Sequence, residues 1–183
     1  MFTFFQGFDE SILFFIQEHL KNPVIDRFMV LITTLGNSGF LWIFLAFLLL
    51  SQKRYQRCGV SLICALSLTM FLNDELLKPL FGRIRPCNTF PDVLLLIGRP
   101  HSPSFPSGHT AAAFVSAAVI FHSYRFAGIL AYITAALIAY SRLYLFVHYP
   151  TDILGGILLG TTVAYLIVKA LEKLYTLIPN HQS

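Results

Sequence analysis

The sequence predicts an all-α protein that crosses a lipid bilayer several times. Of its 183 residues, 56% are hydrophobic and only 12% are charged, whereas an average soluble domain has about 25% charged residues. The apolar residues are gathered into long runs, and a helix needs about 20 of them to cross the hydrocarbon core. So few charges cannot cover a soluble surface, which excludes an ordinary cytosolic enzyme, a disordered chain and a nucleic-acid-binding protein.

Five apolar stretches are candidates for spanning helices. The first contains a possible break at the segment GNSG, the third is short and rich in alanine, and the last has two glycines at GxxxG spacing. GxxxG spacing lets two helices approach closely, and we expect these glycines to pack against another span of the same chain. The five stretches are residues 28–50, 58–77, 107–123, 127–147 and 153–172.

The first twenty residues have a different pattern. Phenylalanine and isoleucine recur near helical spacing, and polar side chains, among them Asp9 and Glu10, fill the other positions. This pattern predicts an amphipathic helix that lies in the membrane interface. A sixth span is the alternative, although charges at mid-membrane are unfavourable. We expect residues 1–183 to form a single domain.

The basic residues of the short loops predict the orientation in the membrane. The 51–57 connection carries three basic residues and falls on the same side as the 122–126 turn and the C-terminal tail. Basic loops mark the cytoplasmic side. The protein is therefore expected to be a multi-pass protein of the cell membrane, with the 78–106 segment and the 148–152 turn on the extracytoplasmic face.

Residues suited to binding phosphate gather at that extracytoplasmic face. Three cations, Lys78, Arg85 and Arg142, have no matching excess of acids there and therefore need an anion. The planar fork of arginine suits phosphate oxygens, and lysine adds a compact charge. The helix that starts near Ser107 offers free backbone N–H groups, and Gly108 leaves the backbone open to close approach.

Two histidines at the same face offer a nucleophile and a general acid. His109 follows the predicted helix start, and His148 has Asp152 four residues later, where a carboxylate can orient the imidazole. The same three residues also suit a metal site of two histidines and one carboxylate, although the nearby cations would repel a metal ion. The other histidines lack such neighbours and are expected to be structural, with His101 left open: His19, His122 and His181.

The spacing of these residues resembles the signature of the type 2 phosphatidic acid phosphatase (PAP2) superfamily. The three motifs are KxxxxxxRP from Lys78, PSGH from Pro106 and SRxxxxxHxxxD from Ser141. The resemblance implies a core of six helices, with the N-terminal segment as the sixth. It also implies a phosphatase that needs neither metal nor cofactor and that hydrolyses a phosphate ester or diphosphate on a membrane lipid.

The resemblance assigns roles to the residues of the motifs. His148 would form a phosphohistidine, Asp152 would orient His148, and His109 would protonate the leaving oxygen. The phosphate would be bound by Lys78, Arg85, Ser107, Gly108 and Arg142.

The motifs recognise phosphate rather than the lipid tail, so several substrates remain open. The small size and outward site resemble bacterial undecaprenyl diphosphate phosphatases of cell-wall metabolism, and a polyprenyl diphosphate is the preferred substrate. The alternatives are the phospholipids phosphatidylglycerophosphate, phosphatidate and diacylglycerol pyrophosphate. A different class, a non-catalytic lipid or anion transporter, is disfavoured because the charges lie at one face and not along a path through the membrane. The oligomeric state stays undefined.

Overall fold

The computed structural model describes residues 3–177. Within this range the secondary structure consists of helices, with no β-strand. The ends of the domain predicted over 1–183 lie outside the described residues, as does His181. The helices are α1 (Thr3–His19), α2 (Pro23–Leu35), α3 (Phe40–Leu50), α4 (Gln56–Phe71), α5 (Lys78–Phe81), α6 (Pro86–Thr89), α7 (Gly108–Ser123), α8 (Arg125–Tyr144) and α9 (Pro150–Leu177). A 3₁₀ turn at Asn37–Gly39 precedes α3, another at Lys53–Tyr55 precedes α4, and a π-helical segment at Leu72–Leu77 joins α4 to α5.

Three segments are long and apolar enough to cross a membrane, namely Lys53–Thr89, α8 and α9. A fourth span results if α2 and α3, which bend by 48° at their junction, are counted together. The remaining expected span, 107–123, forms α7, which has 16 residues and is about 24 Å long at 1.5 Å per residue. This helix packs against α4, α8 and α9, and most of its residues are buried. Its alanine-rich sequence therefore serves a central helix that contacts protein on several sides.

The two glycines at GxxxG spacing bring α9 against α7. A Cβ on Gly156 would lie 2.7 Å from the carbonyl oxygen of Ser107, and one on Gly160 would lie 2.8 Å from the amide nitrogen of Val115. Only glycine allows this approach, so the expected packing within the chain is confirmed. The contact also aligns the start of both helices, where the Ser107 N–H donates to the Asp152 carbonyl oxygen at 3.1 Å.

The N-terminal segment is a helix, as predicted, and it turns Asp9 towards the rest of the protein. Asp9 is completely buried, whereas Phe4 is 87% exposed and Phe8 57% exposed. The sequence did not predict which groups surround Asp9. The helix packs on α8 and α9, and Leu13 and Ile16 are buried in this contact together with Asp9.

Candidate active site

One cavity of about 420 Å³ brings most of the predicted site residues together. It lies where α7 begins and α8 ends, and the segment that follows α6 closes part of it. Ser107 and Asp152 lie behind its wall. The six predicted site residues that line it are Lys78, Arg85, Gly108, His109, Arg142 and His148.

His148 follows the end of α8 and is 1% exposed. Its Nε2 atom lies 3.0 Å from Nη1 of Arg85, and because a guanidinium group can only donate, Nε2 accepts and carries no proton. Its Nδ1 atom lies 3.4 Å from Oδ2 of Asp152. Burial lowers the pKa of the His148 imidazole to about 3, although Asp152 opposes this shift. The side chain is therefore a neutral imidazole whose free lone pair is on Nε2.

Asp152 is held rigidly in the first turn of α9. Its Oδ2 atom accepts hydrogen bonds from the amide of Tyr149 at 2.8 Å and from Oγ of Ser104 at 2.5 Å. Its Oδ1 atom accepts from Nη1 of Arg83 at 2.6 Å. The sequence did not predict roles for Ser104 or Arg83, since both come from the irregular part of the 78–106 segment and only the fold brings them to Asp152.

Arg85 is fixed by protein acceptors on all sides of its guanidinium group. Nε donates to the carbonyl of Ser102 at 2.7 Å, and Nη1 donates to the carbonyl of Val147 at 2.9 Å as well as to His148. Nη2 donates to Oγ of Ser102 at 3.0 Å and to the carbonyl of Pro103 at 3.3 Å. All five N–H groups of Arg85 therefore have acceptors, so a phosphate that binds this side chain must replace at least one of these hydrogen bonds.

Arg142 has a donor that lacks a partner. The residue is 4% exposed, and its Nη1 donates to Oγ1 of Thr33. Its Nε atom is buried and has no hydrogen-bond partner among residues 3–177. A buried N–H without an acceptor is unfavourable by about 1–3 kcal/mol, and an oxygen of a bound phosphate would remove this penalty.

Lys78 is paired with a carboxylate that the sequence analysis overlooked. Its Nζ lies 2.6 Å from Oδ1 of Asp74, which also accepts a hydrogen bond from Asn73 at 2.8 Å. One acid therefore accompanies the three cations, and the positive charge remains in excess. Three cations and one carboxylate line the cavity, a formal charge of +2. The available signal was the polar triplet NDE that ends an apolar run and forms the π-helical segment, a feature frequent at functional sites.

His109 lies in the first turn of α7 and is oriented by the break between α2 and α3. Its Nε2 lies 3.0 Å from Oδ1 of Asn37, in the GNSG segment. Next to it, a Cβ on Gly108 would come within 3.1 Å of Nδ2 of Asn73, so a larger residue would press on the site. The sequence marked Asn37 only as part of a break and gave no sign of this contact.

Ser107 is completely buried below the cavity. Its Oγ accepts a hydrogen bond from Oγ1 of Thr110 at 2.9 Å, and its amide N–H is used by the Asp152 carbonyl. The amide of Ser107 itself is therefore not one of the free N–H groups expected at the helix start. For the metal-site alternative, no three His, Cys, Asp or Glu side chains within residues 3–177 are grouped so as to hold a metal ion.

Comparison with known proteins identifies the family. The sequence pattern of the PAP2 superfamily matches residues 58–175. The chain belongs to the PAP2 superfamily. It is 31% identical over 158 residues to the undecaprenyl-diphosphatase of Sulfolobus acidocaldarius, a match that covers 86% of this chain and 76% of that protein.

Solved structures of PAP2 proteins have the same fold. The crystal structure of the first transmembrane PAP2-type phosphatidylglycerolphosphate phosphatase, from Bacillus subtilis, has a TM-score of 0.77 and 30% identity, and the match covers 93% of this chain and 88% of that one. The crystal structure of Aquifex aeolicus LpxE has a TM-score of 0.79 and 31% identity, covering 88% of this chain and 95% of that one. This chain is therefore a multi-pass membrane protein and a phosphatase of the PAP2 lipid phosphatase family.

Proposed function

We propose that this PAP2 member removes a phosphate from a membrane lipid, most favourably a polyprenyl diphosphate, through a phosphohistidine on His148. One observation supports the mechanism above all others. The unprotonated Nε2 of His148 lies in a cavity lined by three cations and one carboxylate, so a nucleophile and an anion site coincide.

In the first step, the Nε2 lone pair attacks phosphorus and the bond from phosphorus to the leaving oxygen breaks. His109, in its protonated form, gives its proton to that oxygen. The leaving group is the lipid alcohol of a monoester or the lipid monophosphate of a diphosphate. The phosphorylated imidazole of His148 is cationic, and the carboxylate of Asp152 near Nδ1 stabilises it.

In the second step, water attacks the phosphohistidine. His109 is now neutral and accepts a proton from the water, the bond between phosphorus and Nε2 breaks, and inorganic phosphate leaves. Lys78, Arg85 and Arg142 hold the phosphoryl oxygens through both steps, since phosphoryl transfer depends mainly on positioning and charge stabilisation. Gly108 gives the phosphate close access to the backbone. Ser107 is buried beneath the cavity and contributes indirectly, by holding the start of α7 in position.

The preference for a polyprenyl diphosphate is supported by the undecaprenyl-diphosphatase of Sulfolobus acidocaldarius, whose match covers most of both chains. The Bacillus subtilis structure, which is of a phosphatidylglycerolphosphate phosphatase, supports the principal alternative. Phosphatidate and diacylglycerol pyrophosphate are further alternatives with the same reacting group.

A panel of lipid phosphates decides between these substrates. Purified protein in mixed micelles is assayed for phosphate release from polyprenyl diphosphate, phosphatidylglycerophosphate, phosphatidate and diacylglycerol pyrophosphate, with His148→Ala as the inactive control. We expect the highest kcat/KM for polyprenyl diphosphate. The substrate assignment would be contradicted if kcat/KM were at least about tenfold higher for a glycerophospholipid, a difference of about 1.4 kcal/mol in transition-state binding. The proposed reaction mechanism would not be affected by that result.

We also propose that the cavity opens on the extracytoplasmic side. The cavity lies at the end of the helix bundle that carries the 78–106 segment. The basic turn near Lys53 lies at the opposite end of the bundle. Cys58 and Cys87 are buried, so introduced thiols are better reporters. An impermeant thiol reagent on intact cells should label Leu94→Cys, where the native side chain is 82% exposed, and should label Gln52→Cys only after permeabilisation. The opposite labelling pattern would place the opening of the cavity on the cytoplasmic side of the membrane.

A further inference from the structure

A buried ionic network lies behind His148, outside the phosphate cavity. The side chain of Arg83 is 4% exposed, and those of Asp9 and Asp152 are 0% exposed. Nη1 of Arg83 lies 2.6 Å from Oδ1 of Asp152, and Nη2 lies 2.6 Å from Oδ2 of Asp9. One guanidinium group therefore bridges a carboxylate of α1 and the carboxylate that contacts His148.

Further contacts fix this bridge in one geometry. Asp9 accepts hydrogen bonds from the amide of Thr151 at 3.0 Å and from its hydroxyl at 2.6 Å. Arg83 also donates to the Thr151 hydroxyl at 2.7 Å, and its guanidinium carbon lies 4.1 Å from the centre of the Tyr149 ring. Each charged group thus has several partners, as buried charges require.

The balance of charge gives the network a role beyond packing. If Arg83 paired with Asp152 alone, it would cancel the negative charge that stabilises a cationic His148. Asp9 engages the second side of the same guanidinium group, so two carboxylates and one cation leave a formal charge of −1 behind the imidazole. In a buried site this charge is poorly screened and acts on His148 at short range.

We propose that Asp9 and Arg83 are positioning residues for the phosphatase reaction, which fix the Asp152 carboxylate and preserve its effective charge. This inference rests on the proposed role of His148 as nucleophile. It explains why α1 turns an acid inwards while Phe4 and Phe8 face outwards. It also gives a function to an arginine that stands at an unspecified position of the KxxxxxxRP motif.

The replacement Asp9→Asn tests the proposal because it keeps the size of the side chain and removes its charge. We expect kcat to fall about 10- to 100-fold, by analogy with the loss that follows replacement of the groups that orient metal-binding histidines. The KM should change less than about threefold, since the cavity residues keep their contacts. The single-turnover rate of His148 phosphorylation should fall by the same factor as kcat. Glu18→Gln makes the same charge change at an exposed position of α1 and should leave kcat within about twofold.

A double-mutant cycle separates coupling from independent damage. If Asp9 acts through Arg83, then Asp9→Asn should lower kcat by less than about twofold when it is added to Arg83→Gln. Thermal unfolding and monodisperse elution in detergent show which variants are folded. If Asp9→Asn does not fold, Arg83→Lys is tested instead, because a single ammonium group cannot contact both carboxylates as the guanidinium fork does. In this variant kcat should fall with little change in KM.

Three steady-state results would overturn the proposal. The first is wild-type kcat in folded Asp9→Asn, or in Arg83→Lys where that variant is used instead. The second is a loss that appears only in KM, and the third is a full additional loss of kcat in the double variant. Wild-type protein that turns over lipid phosphate without forming phosphohistidine would instead contradict the proposed mechanism. Phosphohistidine that forms at the wild-type rate in Asp9→Asn would contradict the positioning role alone.

Discussion

Asp152→Asn removes a charge next to the proposed nucleophile and should lower kcat on the order of 10²-fold. The carboxylate oxygen lies 3.4 Å from Nδ1 of His148, and with an effective dielectric constant of about 20 a full ion pair at this distance is worth about 5 kcal/mol. If about half of the imidazolium charge has developed in the transition state, the loss is about 2.5 kcal/mol, or roughly 70-fold in rate. The KM should change little, because Asp152 lies behind the wall of the cavity.

The estimated loss of about 70-fold is a lower bound, because the asparagine side chain of this variant also introduces an NH₂ group. In either orientation its NH₂ group meets a donor, which is Arg83 on one side and the Tyr149 amide on the other. Steady-state phosphate release gives kcat and KM, and a rapid quench gives the rate of His148 phosphorylation. Asp92→Asn, at an exposed position, is the matched control. A folded Asp152→Asn protein with kcat within about threefold of wild type, less than 1 kcal/mol, would refute the reasoning.

Three further predictions concern the cations, the metal and pH. Alanine at Lys78, Arg85 or Arg142 should lower kcat/KM by about 10²-fold or more, as expected for lost charge stabilisation in the transition state, whereas Arg99→Ala, at an exposed position, should have much less effect; an equal loss at Arg99 would show that the wrong cations are assigned. Phosphate release should survive excess EDTA, and inactivation by EDTA that Mg²⁺ or Zn²⁺ reverses would contradict a mechanism based on fixed cations. Burial lowers the pKa of His148 to about 3 in the folded protein, whereas a histidine in an unfolded chain has a pKa of about 6.5. Between these two pH values the unfolded chain binds a proton that the folded protein does not bind. Lowering the pH from 7 to 5 should therefore remove about 2 kcal/mol of stability. Unfolding in detergent at both pH values should show a correspondingly smaller loss for His148→Gln, and equal losses would contradict a buried neutral imidazole.

Six of the residues that line the cavity were predicted from the sequence because short motifs and helix ends carry that information. The spacing from Ser141 to Asp152 places a cation, a histidine and a carboxylate at one helix end and the next helix start, and alternation of spans brings the motif of His109 to the same face. The break at GNSG and the packing of the GxxxG glycines also follow from local features. These predictions need only neighbouring residues and the direction of the chain.

Partners that are distant in sequence could not be predicted in this way. Asp9 and Arg83 are 74 residues apart, and Asn37 and His109 are 72 apart, so only the packing of helices brings them together. The periodicity of α1 predicted its helix but not the burial of Asp9, because an amphipathic pattern does not tell whether water or protein covers the polar side. The ion pair of Asp74 and Lys78 is a local one, and the NDE triplet was a signal that charge counting alone missed.

Trapping the phosphoenzyme tests covalent attack by His148 most directly. Wild type, His148→Ala and His109→Ala are mixed with labelled p-nitrophenyl phosphate, whose leaving group needs no protonation, quenched in alkali and digested for mass spectrometry. We expect acid-labile, base-stable phosphate on the peptide that contains His148 in wild type and in His109→Ala, and none in His148→Ala. Label that persists in folded His148→Ala and disappears in folded His109→Ala would show that His109, and not His148, is the nucleophile.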